Sequence, residues 1–300
     1  MNGTSGGSLV RVAALALIWG SGFLFIKISL RGFTATQLTW ARLALGALVL
    51  LAVLAVRRTR LPAGRRVWGH LAVAALLGNA VPYLLFGIAE QDVPSSLAGA
   101  INASTPLWTL AFAFALRTER HLSPLRLAGL ALGFLGAVLV LAPWQDVDAG
   151  QTRGALLSLL ASASYGAAYV YVGRYLQGTG LSPMVLSAAQ LAAATGWLTV
   201  SLPLGGLTTP TWRADAVLAL LILGLVGTGA AYVLNYRIIA DDGAILASTV
   251  TYLLPVVAVV LGALVLGEPL TARVAVGVAV VLLGVALTRR RATPGGLSRR

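Results

Sequence analysis

Two stretches of equal length decide the fold: Tyr83 to Glu119, YLLFGIAEQDVPSSLAGAINASTPLWTLAFAFALRTE, and Tyr232 to Glu268, YVLNYRIIADDGAILASTVTYLLPVVAVVLGALVLGE. Each opens on tyrosine, carries a proline 23 residues later (Pro106, Pro255) and closes on glutamate 13 further on (Glu119, Glu268), so residues 149 apart are equivalents. Beyond them each copy runs into a glycine-marked apolar segment, Gly129 to Gly136 and Gly277 to Gly284, where the offset becomes 148. The chain around them is 58% hydrophobic and 10% charged, against about a quarter charged residues in soluble domains. A duplication inside so apolar a chain is the mark of a membrane transporter built from two copies of one unit.

Runs of about 20 apolar residues, the length that crosses a hydrocarbon core, fall at 9–30, 35–56, 67–89, 94–116, 124–142, 153–173, 184–202, 215–239, 243–266 and 271–288. The expected fold is therefore an all-α integral membrane protein of ten transmembrane helices. Residues 1–146 form the first five-helix repeat and 147–300 the second, which ends in a basic cytoplasmic tail. An odd number of spans per repeat makes the second copy enter the membrane from the opposite side, so the repeats are inverted. Such folds place substrate near mid-membrane, where helices of the two halves are interrupted at equivalent positions.

A formal charge of +13 would suggest nucleic acid in a soluble protein; here its distribution reads as topology. With the N-terminus inside, sixteen of the 22 basic residues fall on the cytoplasmic side and four (Arg31, Arg153, Arg213, Arg273) outside, leaving Lys27 and Arg42 within spans. The positive-inside rule then puts both termini in the cytoplasm, with anionic headgroups attracting the excess and no role for nucleic acid. The first span is too long for a signal core and has only Arg11 before it, so it is expected to stay in the mature protein. There is no cysteine.

The candidate substrate site follows from polar residues at helical spacing on otherwise apolar spans. Pro106 and Pro255 each remove the backbone bond to the carbonyl four residues earlier, freeing acceptors at Asn102 and Thr251, the latter beside Tyr252. Ser158, Ser162, Tyr165 and Tyr169 share one face of the sixth span. Asn79 and Tyr83 do so on the third, next to Pro82, and Thr228, Tyr232 and Asn235 on the eighth. Trp19 and Ser21 mark the middle of the first. Aromatic belts belong at headgroups, and tyrosines at mid-span fit either interhelical hydrogen bonds or one amphiphilic pocket. The expectation is the pocket, with Pro82, Pro106 and Pro255 as helix breaks.

Lys27, the only lysine, and Arg42 are intramembrane cations able to meet a substrate carboxylate or phosphate, or else to snorkel or bond structurally. Every acidic residue falls in a loop or at a span end, so no mid-membrane carboxylate is expected to carry protons; transport by facilitation or exchange follows, or coupling through a site the sequence does not identify. Glu119 and Glu268 read as caps or loop anchors. Gly129, Gly133, Gly136, Gly277 and Gly284 offer smooth faces for close helix approach, as scaffold or as a self-association surface. No metal cluster, cofactor motif or catalytic group is evident, so a membrane enzyme is not the expectation. The expected partners are a small-molecule substrate and the lipid bilayer, with the oligomeric state left open and a monomer compatible with the sequence.

These residues resemble a family. Trp19-Gly20-Ser21-Gly22-Phe23 followed by Lys27, then Arg42, then Pro94 to Ala100 leading into Pro106-Leu107-Trp108, look like the EamA-type transporters of the drug/metabolite transporter superfamily. Glu119 with Leu122-Ser123-Pro124, the run Gly136 to Pro143, and Gly267-Glu268-Pro269-Leu270 continue the likeness over almost the whole chain. It implies two inverted five-helix repeats in the cytoplasmic or inner membrane, with a cavity lined by spans one, three, four, six, eight and nine. It also implies export of amino acids or other small metabolites by alternating access. The alternative within carriers is an anionic metabolite, a sugar phosphate or nucleotide sugar, held by Lys27 and Arg42; outside carriers it is a channel or scaffold. Thr36-Gln37 stands where the family often opens the second span with proline, and the first span lacks the membrane glutamate of the small multidrug members.

Overall fold

A helix satisfies its own backbone, which is why lipid admits it, and the computed structural model is helical throughout its regular structure. It describes residues 6–117, 124–141, 149–203, 205–242 and 244–289. Glu119, the repeat boundary at 146/147 and the last residues of the basic tail lie outside the described residues, as do the side chains of Thr251 and Tyr252. Helix α1 runs Gly6–Gly20 and resumes at Gly22–Ser29; α2 is Ala35–Val56. Helix α3 joins Arg65–Ala75, Leu76–Ala80 and Val81–Asp92; α4 joins Ser95–Asn102 and Thr105–Ala115. Then follow α5 (Pro124–Leu141), α6 (Ala149–Tyr175) and α7 (Pro183–Ser201). Helix α8 joins Ala214–Leu221, Ile222–Ala230 and Ala231–Asp242, and α9 (Ala244–Leu266) and α10 (Ala272–Arg289) complete the order. Among the described residues seven helices, α1–α4 and α6–α8, are long and apolar enough to cross a membrane. The apolar stretches found in the other three are shorter: Leu127–Gly136, Leu253–Leu266 and Ala272–Leu287.

Local chemistry sets the joints. The start of α2, where proline is missing, is fixed by a capping box: Thr34 Oγ1 accepts from the Gln37 amide at 3.2 Å and Gln37 Oε1 from the Thr34 amide at 3.0 Å. Two π-helical stretches, Leu76–Ala80 in α3 and Ile222–Ala230 in α8, hold Asn79 and Thr228, which are 149 residues apart. Each adds slack to the backbone one turn before Tyr83 and Tyr232. The expectation that Pro82 breaks α3 is corrected by this: it sits in the first turn after the π stretch, and the helix continues. Pro255 likewise lies inside an uninterrupted α9, as membrane helices allow when neighbours satisfy the freed groups. Only Pro106 coincides with a break. Helix α4 stops at Asn102 and restarts at Thr105, and the hydroxyls of Ser104 and Ser162 both donate to the Ile101 carbonyl there, at 2.7 and 3.3 Å.

Packing exchanges partners between the halves. Helix α1 packs on α9 and α8, while α6 packs on α4 and α3; α2 packs on α8, while α7 packs on α3. Replacing each helix by its repeat equivalent turns the first member of each pair into the second. Helix α5 lies against α10, its own equivalent, through glycine. A Cβ on Gly284 would stand 2.5 Å from the Gly133 nitrogen, and one on Gly136 would stand 2.6 Å from the Val281 nitrogen. Gly133, Gly136 and Gly284 thus serve a seam inside the chain, the scaffold role expected of them.

Candidate substrate cavity

Where α1, α2, α3, α4, α6, α8, α9 and α10 converge they leave a cavity of about 160 Å3. Its wall is aromatic. Trp19 meets Tyr232 edge-on at 6.0 Å, Phe23 meets Phe86 at 5.4 Å, and Tyr165 lies against both Phe86 (6.2 Å) and Tyr83 (6.3 Å). Offset and edge-on rings at these separations stabilise one another, giving the chamber a firm apolar lining with phenol hydroxyls set into it. Asn102, Thr105, Pro106 and Pro255 line the chamber where α4 and α9 pass. The Thr105 hydroxyl donates to Asn102 Oδ1 at 3.2 Å. Tyr169 stands at the rim, 60% exposed.

Among the described residues one cation reaches this chamber. Arg42 is held at its base: Nε donates to Thr228 Oγ1 at 3.0 Å, and the guanidinium carbon lies 4.0 Å from the centre of the Tyr83 ring. The Thr228 hydroxyl in turn donates to the Leu223 carbonyl at 3.0 Å, so the π stretch of α8 anchors the arginine. Its two terminal nitrogens have no partner among the described residues, and no carboxylate pairs with it. A guanidinium stacked on a ring with its fork free is ready for a planar anion.

Of the expected site residues, Trp19, Tyr83, Asn102, Tyr165, Tyr169, Tyr232, Pro106 and Pro255 line the cavity together, and others do not. Ser21 is buried with its hydroxyl on the Ile18 carbonyl, and Ser162 spends its hydroxyl on the Ile101 and Ser158 carbonyls. The serine and tyrosine stripe on α6 therefore divides, serines to backbone and tyrosines to the chamber. Asn79 is buried in its π stretch away from the cavity, and Asn235 and Pro82 do not line it. Lys27 does not line it either: its ammonium donates to the carbonyls of Glu90 and Val93, the latter at 2.8 Å, tying α1 to the end of α3. Phe23, Phe86, Thr105, Leu282 and Val285 line the cavity without having been singled out. Their signal was helical spacing: Phe23 lies four residues after Trp19, and Phe86 three after Tyr83.

The acidic residues hold a second surprise. Glu268 is an anchor, as its position suggested. Gly267 turns the chain at a φ of 68°, and the Glu268 carboxylate accepts from the amides of Ser95 at 2.7 Å and Ser96 at 2.9 Å, capping α4 from the opposite half. That is favourable for an anion at a helix start. Glu90, which the sequence places at a span end, is completely buried.

Apolar helices closed around an amphiphilic chamber define a multi-pass membrane transporter. The family model described as EamA-like transporter family matches residues 8–142 and again 152–290, and the chain belongs to that family. It is 30% identical over 277 residues to the "Uncharacterized inner membrane transporter YedA" of Escherichia coli K12, covering 91% of this chain and 88% of that one. It is 27% identical over 271 residues to the "Uncharacterized transporter YdfC" of Bacillus subtilis 168, covering 90% and 87%. A solved crystal structure shares the fold with a TM-score of 0.65 and 20% identity, over 95% of this chain and 98% of that one.

Proposed function

We propose that the protein is a secondary transporter, working as an exporter, of a small neutral or zwitterionic metabolite such as an amino acid, by alternating access around the aromatic cavity. The observation that carries this reading is Arg42, a single cation with a free fork in an otherwise uncharged aromatic chamber. One guanidinium suits one carboxylate, and the rings suit an apolar body; an aqueous pore would not need either. The Lys27 half of the anionic alternative is weakened because Lys27 is committed to backbone carbonyls. A phosphate dianion would then meet one cation only, an uncompensated charge in a low-dielectric site.

Ten spans in two inverted repeats, residues 1–146 and 147–300, suit this function. The partner-exchanged packing and the matched π stretches of α3 and α8 support that arrangement. The basic residues at the loops support cytoplasmic termini. In such a bundle, rocking one half against the other exposes the chamber to either side. The test is counterflow in proteoliposomes with a panel of labelled amino acids, their amides and amines, and sugar phosphates. Saturable exchange of a zwitterion supports the reading. Non-saturable flux would make it a pore, and exchange of sugar phosphates alone would favour the anionic alternative.

A further inference from the structure

We propose that Glu90 is a proton-binding site, occupied while the end of the bundle carrying Lys27 and Glu268 is shut and vacated when that end opens. Glu90 is 0% exposed, and neither of its carboxyl oxygens has a hydrogen-bond partner among the described residues. Buried polar groups are nearly always paired, and an ionised carboxylate without donors is among the most costly groups to bury. The neutral acid is far cheaper to keep there. Nor does a nearby charge meet it. The Lys27 ammonium is spent on the Glu90 and Val93 carbonyls, and Arg42 is stacked on Tyr83 and lines the aromatic cavity, which Glu90 does not.

The charged groups around Glu90 come from three elements: Lys27 on α1, Arg42 on α2 and Glu268 on the connection from α9 to α10. Glu268 uses both oxygens as acceptors for the Ser95 and Ser96 amides, which is the work of a carboxylate. Of the two acids that line the hollow at this end, Glu90 is the one left to hold a proton; Asp92, next along α3, is paired with Arg153 of α6 at 3.4 Å, and Asp215 at the start of α8 is paired with Arg213 at 3.1 Å. Glu90 and Glu268 line this second hollow, of about 440 Å3, with Lys27, Arg31 and Gln91, room for the water that would deliver a proton or take it away. The same hollow is bounded by the two ties that shut this end, Lys27 to α3 and Glu268 to α4.

Opening the end breaks those ties and admits water. The Lys27 ammonium then becomes free to face the Glu90 carboxylate, and the proton leaves to solvent. With cytoplasmic termini, as proposed above, that solvent is outside the cell. Because one proton separates the two states, the ratio of shut to open molecules falls up to tenfold for each unit rise in pH across the range where the states differ in occupancy.

The chain has no cysteine, so two introduced at the exposed positions Gln91 and Leu270 carry spin labels without background. The label distance is measured in lipid nanodiscs across a pH series, for the parent and for Glu90→Gln. The expected result is a parent population that lengthens with rising pH, and a Glu90→Gln population that stays short at every pH. A pH response unchanged by Glu90→Gln, or none in the parent, overturns the proposal. Infrared difference spectra of the unlabelled parent provide a second readout: a protonated-carboxyl stretch at neutral pH that Glu90→Asp moves is expected, and its absence also overturns the proposal. Neither readout needs a substrate, so their failure leaves the carrier reading standing, and a panel without exchange leaves the proton site standing.

Discussion

Replacing Arg42 by glutamine tests the substrate chemistry most directly. In the folded protein its Nε bond to Thr228 (3.0 Å) and its stacking on Tyr83 (4.0 Å) fix the side chain, leaving the terminal nitrogens for a ligand. A hydrogen bond to a charged group contributes about 1.5–3 kcal/mol net, so losing the fork weakens binding of a carboxylate roughly 10- to 100-fold. Arg42→Lys keeps the charge without the planar pair of donors and falls between, at about tenfold. Stability moves little. The lost cation–π contact, about 0.5–2 kcal/mol, is offset by removal of a half-buried, unpaired charge. The assay is KM for counterflow of the exchanged carboxylate and of its amide. The parent prefers the carboxylate, and Arg42→Gln loses that preference through the carboxylate KM while the amide KM stays put. If both variants kept the parent's KM and preference, Arg42 would not hold the substrate and the zwitterion argument would fail.

Lys27→Met removes two donors from the carbonyls at the end of α3 and is expected to cost about 1–3 kcal/mol, read as a lower Tm in detergent. Its substrate preference stays that of the parent, because Lys27 does not line the aromatic cavity. Trp19→Ala deletes the edge-on contact with Tyr232 at 6.0 Å, worth about 0.5–1.5 kcal/mol. Counterflow KM for an aromatic or branched substrate should rise about 2- to 10-fold. Gly284→Leu drives a side chain into the Gly133 backbone, where even a Cβ would stand 2.5 Å from nitrogen. Overpacking of that kind costs roughly 1–3 kcal/mol, and thermal unfolding of the purified protein should show it, whereas an unchanged Tm would deny the α5–α10 contact.

What was legible in the sequence is what period and repetition encode. The helical stretches, the equivalence of Tyr83 with Tyr232 and of Pro106 with Pro255, and the anchoring role of Glu268 follow from spacing alone. The rest depends on which groups face each other across helices. Ser21 and Ser162 look like site residues because a hydroxyl in an apolar helix needs a partner, and sequence does not say that the partner is a carbonyl of their own or the adjoining helix. The π stretches were hidden for the same reason, since Leu76–Ala80 contains nothing that ordinary helix would reject. Glu90 misled most. Two residues from the end of α3 a carboxylate ought to reach water, but α1, α4 and the Glu268 connection close over it.

The partner-exchanged packing has a consequence for biosynthesis. When α1 to α5 have left the ribosome, the helices against which α1 and α2 pack, α8 and α9, have not been made. The seams of the early helices must therefore stay covered by lipid or insertion machinery until α8 and α9 are made. Cutting the chain between the repeats and producing both fragments in one cell should restore a working molecule, while either fragment alone should be degraded.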